Sequence, residues 1–331
     1  MRRPLSRLGL ITLALTISTS ALAQEGARTL PVEARPITHF EVGSEKTVFG
    51  SLEFLGGLEL ISPSRDLGAM SAIRVAEDGR SVLGVMDTGN WFEARIERMA
   101  DGRLAGLSDF VLTPMRDASG DEDGPKWSVD AEGLALRGGE ALVSFERDAR
   151  IDVFDRANLN APPARTVDIL IPREEIRSNR GLEAVAIAPD GSPLRGAVVT
   201  IAERSLNEAG DIFAAILEGP RQGIFFVHRD PPFDVTDAAF LPDGDLLLLE
   251  RRFNIAGGIG MRVRRIAADA IRPDATVDGD VLIDADFGDQ IDNMEGLDVI
   301  ESADGIRLIM VSDDNHSILQ RNLLLEFRLT E

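Results

Sequence analysis

Cysteine is absent from this chain of 331 residues, and its absence excludes two ways of stabilising or anchoring a protein. Without thiols there are no disulfide bonds, and without a cysteine after its leader the chain offers no site for lipid attachment there. Stability must come from packing, hydrogen bonds and any metal ions that bind. A hydrophobic content of 44% is ample for a well-buried core in one or two domains.

Histidine is scarce, with three residues that lie far apart: His39, His228 and His316. Neither HExxH nor HxH occurs, which argues against a zinc site built from several histidines. A GxSxG nucleophile motif and a Walker-type glycine loop are also missing. The common catalytic motifs therefore do not describe this chain.

Long apolar runs are confined to the first residues. Arg2, Arg3 and Arg7 accompany the run from Leu8 to Ile17, and Ala21-Leu22-Ala23 fits a signal-peptidase site. The run is too short for a stable membrane anchor, so we predict a signal peptide at 1–23, with a retained anchor as the alternative. This predicts a periplasmic or secreted protein. The mature chain would comprise an N-terminal segment, 24–44, and one domain, 45–331.

Positive charge is in deficit, with a net charge of −21. Removing residues 1–23 would remove three arginines and no acids, which gives −24 for the mature chain. Such a surface disfavours nucleic acid and anionic membranes. We predict a monomer whose partner is a small-molecule substrate, and an anionic substrate would need an arginine cluster or bound cations to offset the field.

Helical periodicity is scarce as well. Short apolar runs such as "SVLGVM", "AVVTIAE" and "GIRLIMVS" alternate with turns such as "EDGR", "ADGR" and "PDGD". Runs and turns of this kind are typical of antiparallel hairpins. The sequence therefore predicts an all-β fold.

A repeated unit is visible in these runs: a first apolar strand, a turn, a second apolar strand and then an acid. Five copies begin near positions 71, 132, 183, 237 and 295, separated by 61, 51, 54 and 58 residues. This spacing predicts a β-propeller of five or six four-stranded blades. The last copy is short, and the orphan residues 47–61 should complete it by pairing the N-terminal and C-terminal strands, which removes exposed sheet edges.

The propeller geometry brings the acids together. The first strand of every blade lines a central channel, so Glu132, Glu183 and Glu295 should converge there. Facing carboxylates do not all stay ionised without compensation by cations, arginines, water or shared protons. Carboxylate and amide oxygens suit a hard cation, and "DTGN" and "SDDNHS" supply more of them, so we predict bound Ca²⁺.

The motifs "DTGNW", "DAEGLAL", "SFERDARI", "NRGLEAVAIAPDG", "NMEGLDVI" and "VSDDNHS" resemble those of the phytase-like domain family, also described as esterase-like activity of phytase. The resemblance covers roughly residues 45–329. It implies an exported bacterial β-propeller with several acidic residues in acid/base or metal roles. The positions carried over by motif are Asp87, Asn90, Glu132, Glu146, Arg147, Asn179, Arg180, Glu183, Glu203, Arg204, Glu295, Asp313, Asp314 and Asn315. The fourth unit departs from the pattern, with Asp237 in "VTDAAF".

From this set we assign three groups of candidate site residues. The catalytic candidates are Glu132, Glu183 and Glu295. The substrate-binding candidates are Arg147, Arg180 and Arg204. The metal-ligand candidates are Asp87, Asn90, Glu132, Glu183, Glu295 and Asp313. An alternative exists for the adjacent pairs Glu146-Arg147, Glu203-Arg204 and Glu250-Arg251, because strand-end acids also form inter-blade salt bridges that hold a propeller together.

Three functions are consistent with these residues. The first is a metal-dependent hydrolase of phosphate esters or related esters, with a carboxylate as general base and arginines on the phosphate oxygens. The second is a non-catalytic binding or scaffold propeller stabilised by calcium or salt bridges. The third is a lactonase-type propeller enzyme. Propellers serve all three roles, so the fold does not decide between them.

Overall fold

The computed structural model describes residues 26–120, 128–254 and 258–330. Within these ranges the chain forms 24 β-strands and two short 3-10 turns, Arg173–Glu175 and Ala268–Ala270. The predicted signal peptide lies outside the described residues. The described part of the chain contains no helix that has both the length and the hydropathy to cross a membrane.

The strands form five blades, numbered here in chain order, and the pairing within them is antiparallel except at the outer edge of blade 3. Blade 1 contains β5 (Met70–Val75), β6 (Ser81–Met86), β7 (Asn90–Arg98) and β8 (Leu104–Pro114), with β1 (Arg28–Thr29) at its outer edge. Blade 2 contains β9 (Ala131–Arg137), β10 (Glu140–Phe145), β11 (Arg150–Asp155) and β12 (Arg165–Val167). Blade 3 contains β13 (Leu182–Ile187), β14 (Val198–Leu206), β15 (Ile212–Ile216) and β16 (Gly223–Val227), with β20 (Thr276–Val277) at its outer edge.

The last two blades complete the propeller. Blade 4 contains β17 (Asp234–Phe240), β18 (Leu246–Asn254), β19 (Gly258–Ile266) and β21 (Asp280–Asp286). Blade 5 contains β22 (Asn293–Ser302), β23 (Gly305–Asp313), β24 (Asn322–Leu329), β4 (Leu52–Ile61) and β2 (Glu33–Ile37), and β3 (Val48–Phe49) pairs with β4. The all-β propeller predicted from the repeats is confirmed, with five blades.

The burial pattern explains why strands at different depths have different sequences. The inner strand β13, "LEAVAI", is covered on both sides, and five of its six residues are buried. The more peripheral strand β7 alternates, with Ala94 and Ile96 buried while Glu93 and Arg95 are exposed. Continuous apolar runs therefore mark the strands nearest the axis, and a period of two marks strands with one face in water.

The core consists of one apolar cluster between each pair of neighbouring blades. Four clusters join consecutive blades, and a fifth, which includes Leu58, Ile73, Phe92 and Ile309, joins blade 5 to blade 1. The five inner strands β5, β9, β13, β17 and β22 lie side by side around the axis. Every blade thus buries both faces of its sheet against its neighbours.

The N-terminal strand β4 lies in the last blade, as the orphan residues 47–61 predicted. It pairs antiparallel with β24 over Leu52–Leu60, and Phe54 packs against Phe327. The blade would otherwise end at β24, with the backbone of that strand open on one side.

Deletion of residues 24–62 is therefore expected to cause aggregation or the loss of cooperative melting, because it exposes the edge of β24 and strips apolar side chains from two core clusters. A variant that lacks only residues 26–29 is the matched control, since it removes the two residues of β1 from the outer edge of blade 1 and keeps the buried Leu30. Size-exclusion chromatography measures the aggregation of both variants, and calorimetry measures the cooperativity of their melting. A 24–62 deletion that elutes without aggregate and melts like the full chain would contradict this role for β4.

Candidate functional site

Each inner strand has an irregularity in its pairing at the same depth in the propeller. The pairing of β5, β13, β17 and β22 with the second strand of the blade skips one residue: Ser71, Glu183, Thr236 and Glu295. In β9 two residues, Glu132 and Gly133, stand opposite Ser144. A β-bulge leaves one residue outside the regular strand pairing and changes the direction of its side chain. Each blade has such a residue close to the propeller axis.

The glycine after the acid in the "EGL" motifs has a packing role. A β-carbon on Gly133 would lie 2.5 Å from the carbonyl oxygen of Glu183, and one on Gly296 would lie 3.1 Å from the Cα of Ala72. Both contacts are to the inner strand of the neighbouring blade. Glycine therefore lets adjacent inner strands approach closely where the acid projects.

A second ring of residues follows the second strand of each blade. The residue pairs Met70/Met86, Ala131/Phe145, Leu182/Ala202, Val235/Glu250 and Met294/Ser312 occupy equivalent registers. The next residue in each second strand is therefore also equivalent. These five residues are Asp87, Glu146, Glu203, Arg251 and Asp313. Four blades place an acid at this position, and blade 4 places an arginine there.

The fourth repeat was aligned one residue out of register in the sequence. The structural equivalent of the channel acids is Thr236 and not Asp237, and the ring position belongs to Arg251 and not to Glu250. Glu250 instead accepts hydrogen bonds from Arg262 (2.7 Å) and Arg264 (2.6 Å) within blade 4. The error arose because blade 4 has no "EGL" motif to fix the register.

All residues of the two rings except Thr236 line one cavity of about 220 Å³ at the channel mouth. It brings together ten residues that the sequence selected: Asp87, Glu132, Glu146, Asn179, Arg180, Glu183, Glu203, Glu295, Asp313 and Asn315. Ser71 and Arg251 complete the lining. The acids of distant repeats therefore share one space.

Four of the selected residues do not line this cavity. Asn90 donates to Thr88, and Asp314 accepts hydrogen bonds from Asn322 and from the backbone of His316. Arg147 donates to Asp130 at 2.8 Å, and Arg204 lies beside Asp234 in a neighbouring cleft.

Arg251 is the principal cation among the acids. It pairs with Glu295, whose carboxylate also accepts from Asn293 Nδ2 at 2.7 Å, and it lies 3.5 Å from Glu203. Burial lowers the pKa of Arg251, but Glu295 and Glu203 more than offset this, so its pKa is raised. The sequence pattern predicts Arg251 only as one member of the salt-bridge pair Glu250-Arg251. With the correct register, the double arginine after "LLLLE" places Arg251 at the ring position of blade 4.

Even with Arg251 present, the negative charge of the cavity acids is incompletely compensated. Burial and the neighbouring carboxylates raise the pKa of Glu132 and Glu183 well above the ordinary value. Burial first, then Asp130 and Glu203, raises the pKa of Glu146 to about 7. Burial likewise raises the pKa of Asp313 to about 6 and that of Glu295 to about 8, although Arg251 opposes the shift of Glu295. At neutral pH the protein alone does not hold all these groups ionised.

Two groups of three acids have carboxylate oxygens within 4.8 Å of one another, the spacing of ligands around one ion. They are Asp130, Glu132 and Glu146, and Glu146, Glu183 and Glu203. Glu146 belongs to both. The predicted ligands Glu132 and Glu183 are included, whereas Glu295, Asp87 and Asp313 are not in either group. The acidic cavity thus offers oxygen ligands for a metal ion.

The channel behind the acids is filled by Arg74. Its guanidinium donates to the carbonyl oxygen of Leu297 at 2.8 Å, to Asp237 at 3.1 Å and to the carbonyl of Val185 at 3.4 Å. Asp298 lies beside it and accepts a 2.6 Å hydrogen bond from the backbone of Val75. The single arginine joins the inner strands of four blades and separates the acidic cavity from the opposite mouth.

Asp298, beside Arg74 in the channel, makes the stability of the protein depend on pH. Burial raises its pKa to about 6 from an ordinary 3.8, against the opposing effect of Arg74. A raised pKa means that its contribution to stability is present below pH 4 and is lost as the pH rises through 6. We expect Asp298→Asn, which keeps the acceptor for Val75, to stabilise the protein above pH 6 by up to about 3 kcal/mol and to change little below pH 4.

Denaturant unfolding between pH 4 and pH 8 measures this difference. Asp269→Asn is the matched control, because its side chain is 90% exposed. A difference between wild type and Asp298→Asn that does not vary with pH would contradict the assignment.

With this geometry established, the comparisons with known proteins identify the family. The family described as "Phytase-like: Esterase-like activity of phytase" matches residues 65–316, which is most of the chain. The chain belongs to this family. Among solved structures, the one titled "Structure of U3-55K" is similar, with a TM-score of 0.40, 10% identity and coverage of 80% of this chain and 96% of that chain. No curated protein matches the chain.

The phytase-like match confirms the resemblance drawn from the sequence motifs, and its span includes both rings of the cavity. All ten selected lining residues, from Asp87 to Asn315, lie between residues 65 and 316. The strand β4, which completes blade 5, lies N-terminal to the matched region. Inter-blade salt bridges, the alternative role for the adjacent Glu-Arg pairs, are present between blades 3 and 4. There Glu203 pairs with Arg251, and Arg204 pairs with Asp234.

Proposed function

We propose that this phytase-like propeller is an exported, metal-dependent hydrolase of phosphate esters or related esters, and that the acidic cavity is its active site. One observation carries the proposal: seven carboxyl groups from four blades line a cavity of about 220 Å³ beside Arg180 and Arg251. A fold does not gather so many acids without a ligand or a proton to offset their repulsion. The leader-like pattern at 1–23 supports export.

Calcium is the ion that the donors suit best. The cavity offers carboxylate and amide oxygens and contains neither histidine nor cysteine among its described lining residues, which is the donor chemistry of hard cations. Glu146, Glu183 and Glu203 are the better of the two groups, because Asp130 in the other group accepts a 2.8 Å hydrogen bond from Arg147. The arginines beside Glu203 lie farther away, Arg251 at 3.5 Å and Arg180 at 3.6 Å. A bound calcium ion would supply Lewis acidity toward an ester oxygen.

Glu132 is then the general base. It lies on the inner strand next to Glu146, and the hydrogen bonds and ion pairs of the described residues give it no arginine partner. Burial and the neighbouring acids raise its pKa, so its carboxylate takes up a proton readily. In this role Glu132 accepts the proton of the attacking water as the ester bond is broken.

The arginines orient the ester. Arg180 lines both the acidic cavity and the neighbouring cleft, and it lies 3.6 Å from Glu203 and 3.2 Å from Asp234. Arg251 occupies the same boundary. Two guanidinium groups there hold the phosphoryl or carboxyl oxygens of the substrate and stabilise the charge that develops on them. Glu295 pairs with Arg251 and fixes its position.

The assay that tests the proposal uses the purified mature protein against phosphomonoesters, phosphodiesters, carboxyl esters and lactones, each with calcium and with chelator. Calcium-dependent turnover of a phosphate ester or related ester is the expected result. Turnover of lactones alone would support the lactonase-type alternative. The absence of turnover in every arm would leave a binding propeller, in which Arg251 serves as a fixed counter-ion for Glu203 and Glu295.

A further inference from the structure

A second cavity adjoins the acidic one, on the same face of the propeller, over blades 3, 4 and 5. Its volume is about 820 Å³, within the range of cavities that hold small organic ligands. The two cavities share Arg180, Glu203, Arg251 and Asn315 in their linings. A molecule bound in the larger cleft would therefore contact the acidic cavity along the residues that the two linings share.

One wall of the cleft is cationic. Arg229 makes two hydrogen bonds to Asp234, of 2.7 and 3.0 Å, and Arg180 donates to the same carboxylate at 3.2 Å. Arg204 lies 3.6 Å from Asp234, and its guanidinium makes no hydrogen bond to any described residue. Arg180 also lies 3.6 Å from Glu203, so these three guanidinium groups face two carboxylates and leave one positive charge in excess. Arg204, whose side chain is 36% exposed, has donors available for an anion.

The opposite part of the lining is apolar. Phe253 and Ile259 are paired across the β18–β19 hairpin, Leu319 projects from the β23–β24 loop, and Pro231 and Pro232 precede β17. Phe253 is 81% exposed and Leu319 is 88% exposed. Large apolar side chains held in water at the edge of a polar cavity mark a surface that buries a ligand.

The acid in this cleft that does not face the arginines is already engaged. Asp292 accepts hydrogen bonds from the backbone of Asn293 and Arg321 and from the Gln320 amide. The cleft thus combines a spare cationic group with an apolar wall, while the acids of the neighbouring cavity repel additional negative charge.

We propose that the cleft binds amphiphilic esters, in which one anionic group meets Arg204 and Arg180 and an aryl or acyl group packs against Phe253 and Leu319. This inference rests on the proposed function and narrows its substrate class. Esters of one phosphoryl group on an apolar body fit both walls. A polyphosphorylated, fully polar inositol fits neither the apolar wall nor the adjoining acids.

The test measures binding without hydrolysis, so that its failure is distinct from failure of the catalytic proposal. Isothermal titration calorimetry on the mature protein in calcium-containing buffer compares methylphosphonate, phenylphosphonate and inositol hexasulfate. Phenylphosphonate should bind at least about tenfold more tightly than methylphosphonate, because its ring is buried in the cleft. Equal affinity for the two phosphonates, or tighter binding of the hexasulfate, overturns the proposal.

Two variants test the contributions of the cationic wall and the apolar wall to binding separately. Arg204→Gln should weaken both phosphonates by about tenfold, whereas Phe253→Ser should weaken phenylphosphonate alone and leave methylphosphonate binding intact as evidence of correct folding. Arg103→Gln and Phe287→Ser are the matched controls, since both side chains are exposed and lie outside the cleft lining. Unchanged binding in either cleft variant overturns the inference. Binding as expected with no ester hydrolysed would contradict only the catalytic role.

Discussion

Glu132→Gln is expected to lower the turnover of the preferred ester by about 10²–10⁴-fold, the range for loss of a general base. Glutamine fills the same volume beside Glu146 but does not accept the proton of the attacking water. Because it also removes one carboxylate from a repulsive cluster, it should leave the melting temperature unchanged or slightly higher. Steady-state kinetics and calorimetry on the same preparation measure the two effects.

The combination of these two readouts distinguishes a base from a structural acid. A structural acid would lower activity and stability together, and Glu132→Gln would then melt below the wild type. Glu140→Gln is the matched control, because it makes the same chemical change at the start of β10, at the opposite end of that strand from Glu146, where Glu140 pairs with Arg165. Full activity in Glu132→Gln would remove this residue from the mechanism and return the choice to Glu183 and Glu295.

Calcium is expected to stabilise the protein by about 2.7 kcal/mol at a hundredfold excess over its dissociation constant, or several degrees in melting temperature. The gain should grow with pH. The pKa values of Asp313, Glu146 and Glu295, about 6, 7 and 8, lie above those of ordinary carboxyl groups. Their contribution to stability is therefore present near pH 4 and is lost as the pH rises through these values.

In chelator, the melting temperature should accordingly fall between pH 5 and pH 8. Calcium should reverse the part of that fall that comes from Glu146, since the ion binds the deprotonated acids of the group that contains it. Glu183→Gln removes one ligand from the better acidic group and should abolish the calcium shift, while Glu140→Gln should retain it. Magnesium is a second control, because it demands a smaller octahedral shell. A wild-type melting curve that is the same with calcium and with chelator at every pH would exclude a calcium site.

Much of the architecture was predictable from local pattern. The short apolar runs and glycine-containing turns predict strands, and their recurrence predicts blades. Gly79 and Gly244, in the turns "EDGR" and "PDGD", adopt φ values of 63° and 98°, which suit glycine. The place of residues 47–61 in the last blade followed from an incomplete final repeat.

The register of blade 4 was not predictable in the same way. A shift of one residue along a strand leaves the apolar run "DLLLLERR" equally plausible, but it exchanges the residue at the channel mouth. The structure places Arg251 there and turns Glu250 toward Arg262 and Arg264. The pairing of β18 with β17 and β19 fixes this register. The residues at the equivalent ring positions of the other blades are distant in the sequence.

The sequence by itself determined that this is an all-β propeller, and that one acid recurs at the start and another at the end of successive hairpins, because these properties depend on residues that are neighbours in the chain. The tertiary structure alone decided which acids lie close enough to hold one ion, since the carboxylates of Glu146, Glu183 and Glu203 come from two blades and meet only across an interface. It also decided that Arg74 fills the channel and that an apolar cleft adjoins the acids. These features depend on the distances between blades, which no local pattern contains.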